Sequence, residues 1–261
     1  MSNSPIMSPV AKWLSESALA EMYTADYWND IAAEQHKEWW IADGNYSACL
    51  RYLEEKGLLR QYSATEKLVT ELSSSFGREI VVADLGAGIG WASACLSRLP
   101  CVREIISVEL SLHRLDQLFP HAVQMMGGIG TKIGRCLGSF YDLAWPNESI
   151  DIIVMFQSFH HADNPLRLVV ECDRVLRSGG RIVIAGEHYI SRLHIIRAVF
   201  ATLRRKGRLN TRFFELFRPD DRLGDHYYRV SDYYSFFGAL GYRVRHHFVG
   251  ARSPIYVIDK P

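Results

Sequence analysis

The 261-residue sequence lacks several features that would decide its class at once. It has no CxxC pair, and its five cysteines (Cys49, Cys95, Cys101, Cys136 and Cys172) are scattered. That spacing argues against a zinc ribbon and against a disulfide framework, so reduced thiols and no metal are expected. Long apolar runs are missing too; "IIVMF" at 152–156 is far too short to span a bilayer. Charge of one sign is absent, with 30 Lys and Arg against 29 Asp and Glu, so no overall field draws in DNA. Pro5 and Pro9 stand where a leader peptide would carry a basic block and then an apolar one, so a cytoplasmic protein is expected.

Apolar residues make up 48 % of the chain, enough for a packed core. Residues 1–75 are read as an N-terminal helical segment, because "SPVAKWLSESALAEMY", "DYWNDIAAEQHKEWW" and "TEKLVTELSSSF" place apolar residues three and four apart. From residue 76 to 261 the pattern is that of an α/β domain. The strands expected are "EIVVADL", "EIISVEL", "CLGSF", "IDIIVMF" and "RIVIAGE", with helical stretches between them. Strands apolar on both faces imply a parallel sheet covered by helices on each side. A helical insert is expected over about 188–229. The last two strands, "YRVRHHFVG" and "PIYVIDK", are joined by "ARS" alone, a link that permits only an antiparallel pair. The fold expected is therefore a Rossmann-like, seven-stranded, mostly parallel sheet with one antiparallel strand.

The first strand runs into "ADLGAGIGW", with Asp84, Gly86, Gly88 and Gly90. Glycines after a strand let the chain turn sharply and let a ligand approach the backbone. A dinucleotide site would use GxGxxG; here the third glycine comes one residue early and Trp91 holds its place, which speaks against a nicotinamide oxidoreductase. No GK[ST] follows, so this is not a phosphate-cradling loop. Glu109 ends the second strand, where a carboxylate can accept the hydroxyls of a ribose lying over the glycine loop.

Two further motifs stand in order, "GSFYDLAWPNESIDIIVMFQSFHHADNP" at 138–165 and "RVLRSGGRIVIAGE" at 174–187. With the glycine loop and "VEL", they resemble the class I S-adenosylmethionine-dependent methyltransferases of the broad small-molecule group. The resemblance is firm over residues 78–187 and loose over 230–260. It implies S-adenosyl-L-methionine as cofactor and methyl transfer to a small molecule, on oxygen or nitrogen. It also implies roles. Asp84, Gly86, Ala87, Gly88 and Gly90 would hold the methionine part, and Glu109 the ribose. Leu110, Ser139 and Phe140 would flank the adenine, with Ser139 replacing the usual aspartate there. Phe156 and Gln157 would stand where donor and acceptor meet. His160, His161, Glu187 and His188 are the candidates for a general base. Tyr23, Tyr27 and Trp28 would belong to an N-terminal lid, whose aromatic faces suit a sulfonium.

The insert concentrates positive charge: between Arg192 and Arg252 there are 13 Lys and Arg against five Asp and Glu. With His226 and Tyr227 it could recognise an anionic acceptor, RNA or a lipid surface, or simply be a solvated basic face. No NPPY-type tetrapeptide follows the fourth strand, which argues against adenine or glutamine N-methylation. Other readings left open are a binder of the cofactor that transfers no methyl group, and a homodimer.

Overall fold

The computed structural model describes residues 5–14, 41, 43–218, 225–250 and 254–261. Tyr23, Tyr27 and Trp28 lie outside the described residues. The strands are β1 (Ala11–Lys12), β2 (Ile80–Leu85), β3 (Val102–Glu109), β4 (Ile133–Leu137), β5 (Ile150–Phe156), β6 (Leu176–Ala185), β7 (Arg243–Phe248) and β8 (Pro254–Asp259). The helices are α1 (Tyr46–Glu55), α2 (Leu58–Ser73), α3 (Trp91–Ser97), α4 (Phe119–Met125), α5 (Pro165–Val175), α6 (Arg192–Lys206), α7 (Phe213–Leu216) and α8 (Val230–Gly238).

One sheet carries the fold, in the order β1-β4-β3-β2-β5-β6-β8-β7. All pairs are parallel except β6 with β8 and β7 with β8. Alternation along the central strands divides the core in two. Val81, Ala83 and Leu85 of β2 join Leu168 and Cys172 of α5 and Tyr233 and Phe237 of α8 on one face. Ile80 and Val82 join Leu58, Tyr62 and Val69 of α2 and Cys95 and Leu96 of α3 on the other. Both faces are thus covered, which is why β2 and β5 are buried along their whole length.

Chain order reverses direction across the sheet between β2 and β5, so the carboxyl ends of these two strands border the crevice where open α/β sheets bind ligands. At the opposite ends, Asp151 is fully buried and held by Arg78 and Arg177, each at 2.6 Å, and by the Val81 backbone N–H at 2.8 Å. These bonds hold its carboxyl below the usual range against the cost of burial.

Three elements differ from the sequence expectation. Residues 11–12, expected in a helix, pair with Cys136 and Leu137 as an eighth strand at the sheet edge. Strand β4 begins three residues before "CLGSF" and ends at Leu137 within it. Its early half, "IGR", gives little β signal because it contains a glycine and an arginine. Arg135 is nonetheless buried, donating to the carbonyls of Leu115 and Ser8 at 2.5 and 2.8 Å. Strand β6 begins directly after α5, and its pairing with β5 slips between Leu176 and Arg181. The glycines of "RSGG" form that irregularity, with Gly179 at φ 70°.

Candidate active site

Strand β2 delivers Asp84 to the crevice almost fully buried, 1 % exposed. Its Oδ2 accepts a 2.5 Å hydrogen bond from Ser93 on α3, and its Oδ1 is buried without a partner. Burial, reinforced by nearby Glu109, pushes its pKa up to about 6. The loop that follows is pinned by two bonds from the backbone N–H groups of Gly86 and Ala87 to the Val108 carbonyl, at 2.9 and 3.0 Å. Gly86 and Gly90 are needed for packing as well as for their positive φ. A Cβ on Gly86 would stand 2.5 Å from Ser158 Cβ, and one on Gly90 would stand 2.3 Å from the Phe119 ring. Gly88, at φ 55°, faces open space.

Glu109 closes the loop from the end of β3. Its Oε2 accepts from Gly88 N at 2.8 Å, while Oε1 accepts from Leu110 N and Ser111 N at 2.9 and 3.0 Å. Ser139 and Phe140 follow β4. The Ser139 hydroxyl accepts from Tyr141 N at 3.2 Å, and the Phe140 ring meets that of Tyr141 edge-on. Phe156 is buried and stacks on Tyr62 of α2 at 4.2 Å, so it anchors a helix to the sheet. Gln157 has φ 53°, an uncommon backbone for a residue other than glycine, at the exit of the central strand. It lines a cleft of about 420 Å³ with Gly186, His188, Tyr189, Lys56 and Gln61. Helices α1 and α2 therefore form one wall of that cleft, and the carboxyl ends of β5 and β6 the other.

The four base candidates are brought together but are not equivalent. Glu187 is buried and fully engaged. Its Oε1 accepts from Ser158 N and Phe159 N, both at 3.1 Å; its Oε2 meets His160 Nδ1 at 2.9 Å and Tyr233 OH at 3.3 Å. Burial alone would raise its pKa, but His160 and its neighbours hold it below the usual range. For His160 burial favours the neutral ring, and Glu187 outweighs burial and raises the pKa. His161 and His188 are partly exposed, at 39 % and 42 % of their side chains.

Sequence reasoning missed two residues of this region. Gln61 is buried with an unpartnered Oε1 and lines the cleft; in the sequence it is one polar residue within an amphipathic helix. Asp225 returns at the end of the insert and faces His160, His161 and His188 at 3.7, 3.2 and 3.6 Å. The predicted pair beside it folds back on the same strand ends. His226 donates its backbone N–H to the His160 carbonyl and places Nε2 2.9 Å from Asp163, while Tyr227 lies 5.1 Å from the His188 ring.

The buried oxygen of Asp84, the open face at Gly88 and the nearby carboxylate of Glu109 suit a cationic amino-acid group joined to a ribose. S-Adenosylmethionine has both. Among the described residues, no helix is long and apolar enough to cross a membrane.

Comparisons with known proteins bear on the family and the fold. Residues 83–184 match the family model described as "Methyltransferase domain". A mitochondrial ubiquinone biosynthesis O-methyltransferase of Candida albicans is 29 % identical over 106 residues, 41 % of this chain and 32 % of that protein. A sarcosine/dimethylglycine N-methyltransferase of Aphanothece halophytica is 30 % identical over 102 residues, 39 % of this chain and 36 % of that protein. The chain spans about a third of the length of these curated relatives. Among solved structures, a SAM-dependent methyltransferase from Aquifex aeolicus superposes with a TM-score of 0.54 at 16 % identity, over 80 % of this chain and 98 % of that one. The [4+2]-cyclase SpnF superposes at 0.56 with 13 % identity, over 76 % and 82 %. Over residues 83–184 the chain matches the methyltransferase domain family, on the fold of solved S-adenosylmethionine-dependent methyltransferases.

Proposed function

We propose that the protein transfers a methyl group from S-adenosylmethionine to an oxygen or nitrogen of a small molecule held in the cleft between α1, α2 and the ends of β5 and β6. The observation that carries this reading is the pair of carboxylates at the glycine loop, Asp84 buried with an unpartnered oxygen and Glu109 bonded to Gly88, beside the open backbone of Gly88. Such a pair calls for a cation. The bound cofactor would supply a methyl group on a positively charged sulfur, activated for in-line displacement. Asp84 would face its ammonium group and Glu109 its ribose, with Leu110, Ser139 and Phe140 about the adenine. Gln61 offers the acceptor an unpartnered amide oxygen, and alignment is the main contribution these walls make. His188 lines the cleft and is the group placed to take a proton from a hydroxyl acceptor. Glu187 acts through His160 as a positioning group. A cytoplasmic setting is part of this reading.

Calorimetry with S-adenosylmethionine, followed by a turnover assay over a panel of acceptors, tests the reading. Formation of S-adenosylhomocysteine with an acceptor supports it. Tight binding without turnover across the panel would favour a binder, a role the cyclase on the same fold keeps open.

One observation favours an acceptor presented at a lipid surface. Helix α6 exposes Leu193, Ile196, Phe200 and Leu203 by 52, 51, 65 and 38 %. Its other residues include Arg192, Arg197, Arg204, Arg205 and Lys206, and no acid. An exposed apolar stripe on a basic helix is the pattern of interfacial binding. Co-sedimentation with anionic but not with neutral vesicles, lost in Phe200→Asp, would support that reading; equal partition into both would remove it.

A further inference from the structure

We propose that His160, His161 and Asp225 form a binding site for one divalent transition-metal ion of the zinc type. One ligand atom from each of the three lies within 4.8 Å of the other two. The separations are informative. His160 Nε2 and His161 Nδ1 stand 3.7 and 3.2 Å from the same oxygen, Asp225 Oδ1. Charge-assisted hydrogen bonds to a carboxylate are shorter, about 2.7–2.9 Å. That oxygen is buried, and it accepts no hydrogen bond. Ligands at about 2.0–2.1 Å around a tetrahedral ion are separated by about 3.3–3.4 Å, a value that lies between these two separations. Three side chains converge on one point at ion-pair separations of 3.2 and 3.7 Å, wide enough to admit a fourth body.

The surroundings support the same assignment. His160 gives Nδ1 to the buried carboxylate of Glu187 at 2.9 Å. That bond holds Nδ1 against Glu187 and leaves Nε2 facing Asp225 at 3.7 Å. A carboxylate behind a histidine in this way is the usual support of a metal-bound imidazole. Two imidazoles and one carboxylate suit zinc, iron(II), cobalt(II) or nickel(II), whereas calcium and magnesium prefer oxygen ligands. Three protein ligands leave a position for water or for an acceptor heteroatom. His188 stands 3.6 Å from the other Asp225 oxygen, on the side of the cleft. The ion would therefore tie the returning end of the insert to the strand exits.

The site needs no methyl donor, so its test stands apart from the methyl-transfer reading. The chelator-treated full chain is titrated with Zn²⁺ against a chromogenic chelator, and with Co²⁺ to record its visible ligand-field bands. One equivalent of either ion is expected, with Co²⁺ bands of a nitrogen and oxygen site. His161→Ala and Asp225→Asn should each weaken Zn²⁺ binding at least tenfold. Glu187→Gln should weaken it by about 10–100-fold, the usual cost of losing such a support. His246→Ala, on β7, should leave it unchanged. His161 is partly exposed, so its variant is expected to fold, and circular dichroism checks this. Absence of a one-equivalent site, or binding of undiminished strength in either His161→Ala or Asp225→Asn, overturns the proposal.

Discussion

The Gly88 backbone N–H donates to Glu109 Oε2 at 2.8 Å, tying the glycine loop after β2 to the tip of β3. The same carboxylate holds two more backbone N–H groups, so one side chain shapes both loops of the crevice. Glu109→Ala leaves those donors without their acceptor. A buried donor left unsatisfied costs about 1–3 kcal/mol, so a lower Tm is expected. Affinity for S-adenosylmethionine should fall by at least tenfold by calorimetry. Unchanged affinity would remove Glu109 from the ribose site.

The three loop glycines should separate under substitution by alanine. Gly86→Ala and Gly90→Ala force a Cβ into Ser158 or the Phe119 ring and should strongly lower Tm. Gly88→Ala meets open space. Its cost is the left-handed backbone alone, about 1–2 kcal/mol. It should keep the fold and lose cofactor affinity, because the new methyl group stands where the ligand approaches. Thermal melts with and without S-adenosylhomocysteine report both quantities.

Asp84 makes cofactor-free stability depend on pH in a defined direction. Its folded pKa is raised from 3.8 to about 6, so the folded state holds the proton more tightly than the unfolded chain does. Stability from this group is greatest below pH 4 and falls as pH rises from about 4 to about 6. A gap of about two pH units corresponds to about 3 kcal/mol. Asp84→Asn should flatten that part of the Tm–pH profile. In the parent protein, S-adenosylmethionine should bind more tightly as pH rises through 6, when the carboxylate ionises to face its ammonium group. Parallel profiles for parent and variant would refute both expectations.

At the far end of the sheet, Asp151→Ala leaves Arg78 and Arg177 without their shared partner. Both arginines are partly exposed and water can take them, so the cost comes mainly from the buried Val81 N–H left without its acceptor, about 1–3 kcal/mol. A matching loss in urea denaturation is expected, with cofactor affinity unchanged at temperatures where the variant is folded.

The sheet was readable from the sequence where strands are apolar on both faces. Residues 80–85 and 150–156 are buried throughout, and continuous β-branched runs betray that. Strand β4 was displaced in the reading because Arg135 is buried by two carbonyl contacts that come from distant segments. The glycine loop and Glu109 were legible because a turn and a strand-end acid are local features. Glu187 was visible only as a strand-end acid. Its engagement depends on Tyr233, 46 residues later, and on the fold of 158–160. Asp225 gave no signal, since only the return of the insert brings it to the histidines.

The two margins of the sheet are guarded in different ways. On one side Ala11–Lys12 pairs with the end of β4, and the preceding residues reach Arg135 through the Ser8 carbonyl. On the other side β7 is largely exposed and carries Arg243, Arg245, His246 and His247. Positive charge on an outer strand discourages a second strand from adding to it. A second copy of the chain would meet an edge strand of only two residues at one margin and a row of basic residues and histidines at the other. Among the described residues, neither margin offers the long apolar edge on which a sheet continues into another molecule.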